Sequence, residues 1–260
     1  MNIKNYINRI KYTGEITPNM VLLLQLQKAH LLSIPFENLD IHYGNKIDLD
    51  VAKIYAKVVE KGRGGFCYEL NGLFFFLLKT IGFDAKIVSA NVYNNDKKEF
   101  GKAFDHLTII VKLNDIEYLV DVGFGEFTFF PLKLELNTIQ TDSRGDFMIE
   151  MFEKGVYQVL KLSEGKKIIQ YIFTIQEKVM NQFTEMCQYH QTSPDSHFTH
   201  QKLISRPTEN GRITLAGNIL KITDKGAIKK EVEFEKSEFE KYLLDWFNID
   251  AASINTDGII

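Results

Sequence analysis

Cys67 stands between a glycine-rich stretch, Arg63-Gly64-Gly65-Phe66, and a strongly apolar run, within KGRGGFCYELNGLFFF at 61–76. A cysteine reacts as its thiolate, and the unpaired N–H groups and dipole of a helix start favour that anion. Leu70, Leu73, Phe74, Leu77, Leu78 and Ile81 keep a helical period, which predicts a helix opening at Cys67 and closing at Gly82. Gly64 and Gly65 let backbone approach a bound molecule closely, and exposed N–H groups there can hold an oxyanion. A buried cysteine after a tight turn is the plainer reading. A base within reach decides between the two.

His106 supplies the test, because its surroundings can be built from local rules. HLTIIVKL and IEYLVDVG flank Asn114-Asp115, a two-residue hairpin loop. Counting back from that turn pairs 113 with 116, 112 with 117, and 108 with 121. Lys112 then faces Glu117, an opposite-charge pair that supports the register. His106 and Asp121 fall on the same face as diagonal neighbours, about 7–8 Å apart at the backbone. A slip of one residue would send them to opposite faces. An Asp bonded to one imidazole nitrogen orients the ring and leaves the other nitrogen to take a proton from a nucleophile. Whether Cys67 reaches this pair is beyond local rules.

The elements that must position these residues read as helices first and strands after. Thr17-Pro18 marks a helix start before VLLLQLQKAHLL, Pro35 ends that helix, and another follows Asp50. From Asp84 the texture becomes β: AKIVSANVY, HLTIIVKL, EYLVDVG, FMIEMF, VYQVLKL and IIQYIFT are short and separated by Gly, Asn, Asp and Lys. A helix is expected over 177–189, strands near 202–205 and 211–221, and a last helix, FEKYLLDWF, capped by Ser237. Helices, then strands, then a mixed tail make an α+β chain in three regions.

The 260 residues are 45% hydrophobic and 25% charged, with a net charge of −3. Acids and bases are intermixed, so there is no footprint for nucleic acid or an anionic membrane. The longest apolar run, Leu73–Leu78, is too short to span a bilayer. The first residues lack an apolar signal core, so a reducing cytoplasm with both Cys67 and Cys187 free is the expectation. Cys187, in MCQYHQ with no glycine turn before it, reads as an inert thiol. His190, His197 and His200 lack a clean ligand spacing, so no metal is expected.

These residues carry a resemblance. YINRIKYTG, IPFENLDIHYG at 34–44, RGGFCYELNGLF at 63–74, His106, YLVDVGFG at 118–125 and SPDSHF at 193–198 together resemble the arylamine N-acetyltransferases over nearly the whole chain. The resemblance implies an N-terminal helical bundle over 1–83, a central β-barrel over 84–190 and a C-terminal α/β lid over 191–260. A cysteine-protease-like Cys67-His106-Asp121 triad would lie between the first two. It implies acetyl-CoA as cosubstrate, a Cys67 thioester, and a small arylamine, arylhydrazine or N-arylhydroxylamine acceptor in a ping-pong reaction.

Phe124 matches an acceptor-pocket position of the family, with Phe36 and Val92 as further candidates. The resemblance also puts CoA in the cleft between barrel and lid, with Phe104, Gly125 and Lys102 as contacts; no phosphate-binding glycine motif is present. Arg63 is expected to pair with Glu37 and Asp40 and so hold the Cys67 loop, while Glu69 and Asn71 make local bonds. Three other accounts remain open on sequence. They are a same-scaffold acyltransferase or amide synthase with another donor, a Cys-His-Asp hydrolase, and a catalytically silent CoA-binding protein. Oligomeric state is not legible.

Overall fold

Residues 2–254 are described by a computed structural model of the chain. The first third is helical: α1 (Ile3–Arg9), α2 (Met20–Ser33), a two-residue strand β1 (Phe36–Glu37), then α3 (Leu39–Tyr43), α4 (Val51–Tyr55) and α5 (Cys67–Ile81). The start of α2 is not capped by Thr17. Asn19 is the cap, accepting from the Leu22 N–H at 2.9 Å, while Thr17 bonds Glu15. Asn caps at least as well as Thr, so the later position wins. Asp50 caps α4 as its position suggests, and α4 runs into a π-helical turn over Ala56–Glu60. Gly82 closes α5 in the left-handed region, at φ 109°.

The strands β2 (Asp84–Asn94), β3 (Glu99–Phe100), β4 (His106–Leu113), β5 (Ile116–Val120), β6 (Leu132–Lys133), β7 (Gln140–Asp142), β8 (Gly145–Glu153), β9 (Val156–Ser163) and β10 (Lys166–Thr174) form one antiparallel sheet. Its order is β6-β5-β4-β2-β10-β9-β8-β7, with β3 on β2. The sheet curls into a nearly closed barrel around Val88, Ile110, Leu119, Phe147, Tyr171 and Phe173. Its two ends meet through a side chain. Gln140 of β7 accepts from the Lys133 N–H at 2.8 Å and donates to the Lys133 carbonyl at 2.9 Å, standing in for a strand across the seam.

Helix α6 (Thr184–Thr192) begins later than the sequence suggests, because Lys178 is still extended and bridges Ile87 of β2. The last region holds β11 (Leu203–Thr208), β12 (Gly211–Ala216), β13 (Ile219–Asp224), β14 (Ala227–Glu233) and α7 (Phe239–Phe247). The stretch expected as one strand over 211–221 is a hairpin, folded back at Gly217, whose φ is 57°. Glu238 rather than Ser237 precedes α7, since a 3-10 turn over Lys236–Glu238 takes up Ser237. The five-stranded sheet is ordered β1-β11-β12-β13-β14, so its edge is lent by the helical region. Leu39 of α3 joins the same core as Leu215, Leu220 and Leu243. Among the described residues no helix is long and apolar enough to cross a membrane.

Candidate active site

The β4–β5 hairpin turns on Asn114 and Asp115, both with positive φ (50° and 62°), the backbone of a type I′ turn. Its register is Leu113 with Ile116, Lys112 with Glu117, and onward to Ile109 with Val120. The charges sit differently from the sequence reading. Lys112 pairs with Asp115 at 2.9 Å, and Glu117 with Lys86 of β2 at 2.8 Å, because a third strand offers Glu117 a nearer cation. Past the end of β5 the hairpin brings His106 Nε2 to Asp121 Oδ2 at 2.7 Å. A carboxylate only accepts, so Nε2 carries the proton and Nδ1 is the nitrogen left to act as a base.

Asp121 is wholly buried and fixed from every side. Its Oδ1 accepts from Asn71 Nδ2 (2.8 Å) and from the N–H groups of Gly123 (2.9 Å) and Phe124 (3.0 Å). Its Oδ2 accepts a second bond from the Tyr171 hydroxyl at 3.2 Å. Burial, then the neighbouring carboxylate, push the Tyr171 phenol well above its usual range and keep it a donor. Nothing in IIQYIFT marks Tyr171 for this role; only the β2–β10 pairing brings it here.

Asn71 joins this pair to the helix that Cys67 opens. It lies one turn along α5 from Cys67, donates to the Leu107 carbonyl (2.6 Å) as well as to Asp121, and accepts from the Val122 N–H (2.8 Å). These are long-range bonds, not the local ones expected, because the amide points out of the helix into the barrel. Gly123 completes the seam: a Cβ built on it would lie 2.8 Å from Cys67 Cα and 3.0 Å from the Cys67 carbonyl oxygen. The loop that carries Asp121 therefore packs directly on the backbone of Cys67.

Cys67 is 4% exposed. Burial pushes its thiol well above the usual range, and the charges of Asp105 and Asp121 add to this, against a smaller opposing hydrogen bond from the Tyr68 N–H. The helix start alone is thus outweighed by desolvation.

Beneath the Cys67 loop lies a buried ionic network. Arg63 donates to Asp40 Oδ1 (2.5 Å) and Glu37 Oε1 (2.7 Å). Lys57, from the π-helical turn, adds contacts to Asp40 (2.7 Å) and Glu69 (2.8 Å). Burial works to raise the Asp40 carboxyl, yet Lys57 and Arg63 hold it down to about 2. Glu69 also accepts from the Phe66 N–H at 3.1 Å, capping α5 where Phe66 has no polar side chain of its own. Gly64 and Gly65 are required by crowding: a Cβ would lie 2.1 Å from the Pro35 carbonyl oxygen and 2.9 Å from Glu69 Cβ, respectively. Lys57 was not singled out in the sequence, where nothing distinguishes it from other helix-surface lysines.

A narrow cleft beside the site is lined by Phe36, Phe124, Gly125, Pro207 and Arg212 among others. The Phe124 ring lies 5.6 Å from the His106 ring, edge to face. Val92 is not in this cleft; it sits on β2 opposite Tyr171 and donates to Asp105. Phe104 and Lys102 turn toward the α6 side. Phe104 packs on Phe183 and its carbonyl accepts from the Tyr68 hydroxyl, while Lys102 lies over the Tyr189 ring. The carbonyl of Gly125, in the cleft lining, is clasped by Arg144 and Arg212.

Cys187 is free and buried, and burial pushes its thiol up to about 12. The three late histidines have other partners: His190 faces Ser196 and Asp105, His200 bonds the Pro194 carbonyl, and His197 packs on Phe198. Among the described residues no group of three or more His, Cys, Asp or Glu could hold a metal.

The N-acetyltransferase family model matches residues 19–255. An arylamine N-acetyltransferase of Gallus gallus, pineal gland isozyme NAT-3, is 32% identical over 96% of this chain and 94% of its own length. Arylamine N-acetyltransferase 1 of Homo sapiens is 30% identical over the same shares. The solved arylamine N-acetyltransferase of M. tuberculosis superposes with a TM-score of 0.90 at 27% identity, covering 99% of this chain and 97% of that one. That of Mycobacterium marinum in complex with CoA gives 0.88 at 27%, covering 97% and 94%. Matched along its length in sequence and in fold, the chain belongs to the arylamine N-acetyltransferase family and is an acyltransferase.

Proposed function

We propose that the protein moves acetyl from acetyl-CoA to Cys67 and then to an arylamine, arylhydrazine or N-arylhydroxylamine. The observation that carries this reading is the His106–Asp121 bond at 2.7 Å, tied by Asn71 to the helix that Cys67 begins. Because burial holds the Cys67 proton tightly, the thiol becomes a nucleophile by passing that proton to His106 Nδ1. Asp121 keeps the ring in the tautomer that can accept it and stabilises the imidazolium. The sulfur then attacks the acetyl carbonyl, the C–S bond to CoA breaks, and CoA leaves as thiolate to be protonated by His106. In the second half the amine nitrogen attacks the Cys67 thioester, loses its proton to His106, and the C–S bond to Cys67 breaks.

Phe124 and Phe36 suit a flat aromatic acceptor in the cleft they share, and Val92 borders the site through Tyr171. The CoA complex of the Mycobacterium marinum relative supports CoA as cosubstrate. Gly125, Phe104 and Lys102 are the proposed contacts, on two sides of the site. Two free thiols suit a reducing cytoplasm.

Intact-protein mass spectrometry after mixing with acetyl-CoA tests the reading. One acetyl group should add to the wild type and to Cys67-intact Cys187→Ser, fail to add to Cys67→Ser, and leave on addition of aniline. CoA binding with no adduct would overturn it.

A further inference from the structure

His106 opens β4 after a segment of unusual backbone. Phe104, two residues before it, has φ 63°, in the left-handed region that a bulky side chain disfavours. Such a residue persists there only where its surroundings hold it. The hold comes from α5. The Tyr68 hydroxyl donates to the Phe104 carbonyl at 2.7 Å and to the Asp105 carbonyl at 3.0 Å, a three-centre bond. Asn71, three residues along the same helix face, donates to the Leu107 carbonyl at 2.6 Å. Carbonyls on both sides of His106 are therefore gripped by the helix that Cys67 opens.

Tyr68 is wholly buried, its ring edge to face on Phe66 at 5.2 Å and tilted against Phe183 and His190. Burial, then the charges of Cys67, Asp105 and Cys187, push its phenol far above the usual range and keep it a donor. The Asp105 side chain is anchored separately. It accepts from the Val92 N–H of β2 at 3.2 Å and lies 3.1 Å from His190 Nε2 of α6. It also fills the space at Gly101, where a Cβ would meet Asp105 Oδ2 at 2.2 Å. With that carboxylate fixed, the Tyr68 hydroxyl orients the two peptide planes that lead into His106.

We propose that Tyr68 is a positioning residue for His106, its hydroxyl clamping the Phe104-Asp105 backbone so that the imidazole stays in line for proton transfer. This role rests on the proposed acetyl transfer, in which His106 moves the proton in both half-reactions. Without the hydroxyl the left-handed turn at Phe104 can relax, and the ring is aligned for less of the time. Both proton transfers then suffer alike, whereas loss of a contact to CoA or to the amine would affect one of them.

Single-turnover stopped-flow kinetics of Tyr68→Phe, with Tyr6→Phe beside it, test this role. Tyr68→Phe keeps the ring and its packing and loses one oxygen. Tyr6→Phe likewise deletes one buried phenol oxygen, bonded to His30 Nδ1 at 2.8 Å in the helical core. In Tyr68→Phe, acetylation of Cys67 and transfer to aniline should slow by matching factors of about ten-fold or more, because general-base assistance depends on alignment. Affinity for acetyl-CoA should hardly change, and hydrogen exchange over residues 104–108 should quicken. Tyr6→Phe should keep both rates near the wild-type values. Wild-type rates in Tyr68→Phe, or an equal slowing in Tyr6→Phe, would overturn the proposal. Loss confined to one half-reaction would overturn it too, and would assign the hydroxyl to donor or acceptor binding. A wild type that takes no acetyl would instead strike the acetyl-transfer reading. Hydrogen exchange would then decide alone: unchanged exchange in Tyr68→Phe would overturn the clamp, and faster exchange would uphold it.

Discussion

Gly123 lies against the backbone of Cys67 so closely that a Cβ on it would meet Cys67 Cα at 2.8 Å and Asn71 Nδ2 at 2.7 Å. The obstacle is helix backbone, which cannot rotate aside. Gly123→Ala should therefore push the Asp121 loop off α5, at a cost of about 1–3 kcal/mol in stability. A displacement near 1 Å should slow single-turnover acetylation of Cys67 by about 100-fold. A rate within a factor of two of wild type would mean that the seam does not set the geometry.

Arg63 is 3% exposed and bonded to two carboxylates, so truncation leaves both to Lys57 alone. Arg63→Ala should lose about 3–5 kcal/mol in urea unfolding. Arg63→Lys should recover only part, because a single ammonium cannot span Glu37 and Asp40 as the planar fork does. Unchanged stability in the alanine variant would show that Lys57 alone balances the acids.

His30 is wholly buried, its Nδ1 2.8 Å from the Tyr6 hydroxyl, and burial lowers its pKa to about 3 from 6.5. The unfolded chain therefore takes up the proton first. This contribution to stability is whole above pH 6.5 and is lost progressively as pH falls toward 3. Between pH 6.5 and 4 it should amount to about 2–3 kcal/mol. Chemical denaturation across that range should show a shallower acid decline for His30→Gln than for wild type; parallel curves would exclude His30 as a source.

Phe124 is an aromatic wall of the cleft rather than a proton carrier. Phe124→Ala should raise the KM for an aniline acceptor by about ten-fold, from lost ring contact and buried area. Cys67 acetylation should change much less. Stopped-flow measurement of the two half-reactions separates these effects, and an equal loss in both would place Phe124 in the chemistry of the thiol instead.

The hairpin carrying His106 and Asp121 was readable because a two-residue turn fixes register, and register fixes which side chains share a face. The opening of α5 at Cys67 was readable from its period and from Gly82. The bonds that join these pieces were not. Asn71 sits where helical spacing puts it beside Cys67, but its partners lie on β4 and the loop after β5, set by packing between regions. Tyr171 and Lys57 were invisible for the same reason: each looks ordinary within its own element. Lys112 faces Glu117 as the register requires, but their ion pairs go elsewhere, to Asp115 and to Lys86, because a cross-strand rule considers two strands and β2 supplied a third. The late boundaries slipped where an extended bridge, at Lys178, and a 3-10 turn, at Ser237, compete with helix.

Strand β1 is gripped from both sides. Phe36 and Glu37 pair with Ser205 and Ile204 of β11, and the Glu37 N–H donates to the Gly65 carbonyl at 2.9 Å. The glycine turn before Cys67 thus leans on a strand whose other neighbour is made late in synthesis. During translation the Cys67 turn must wait, half-supported, until some 140 further residues have left the ribosome. A truncated product would carry Cys67, His106 and Asp121 and still lack the strand on which the turn before Cys67 rests.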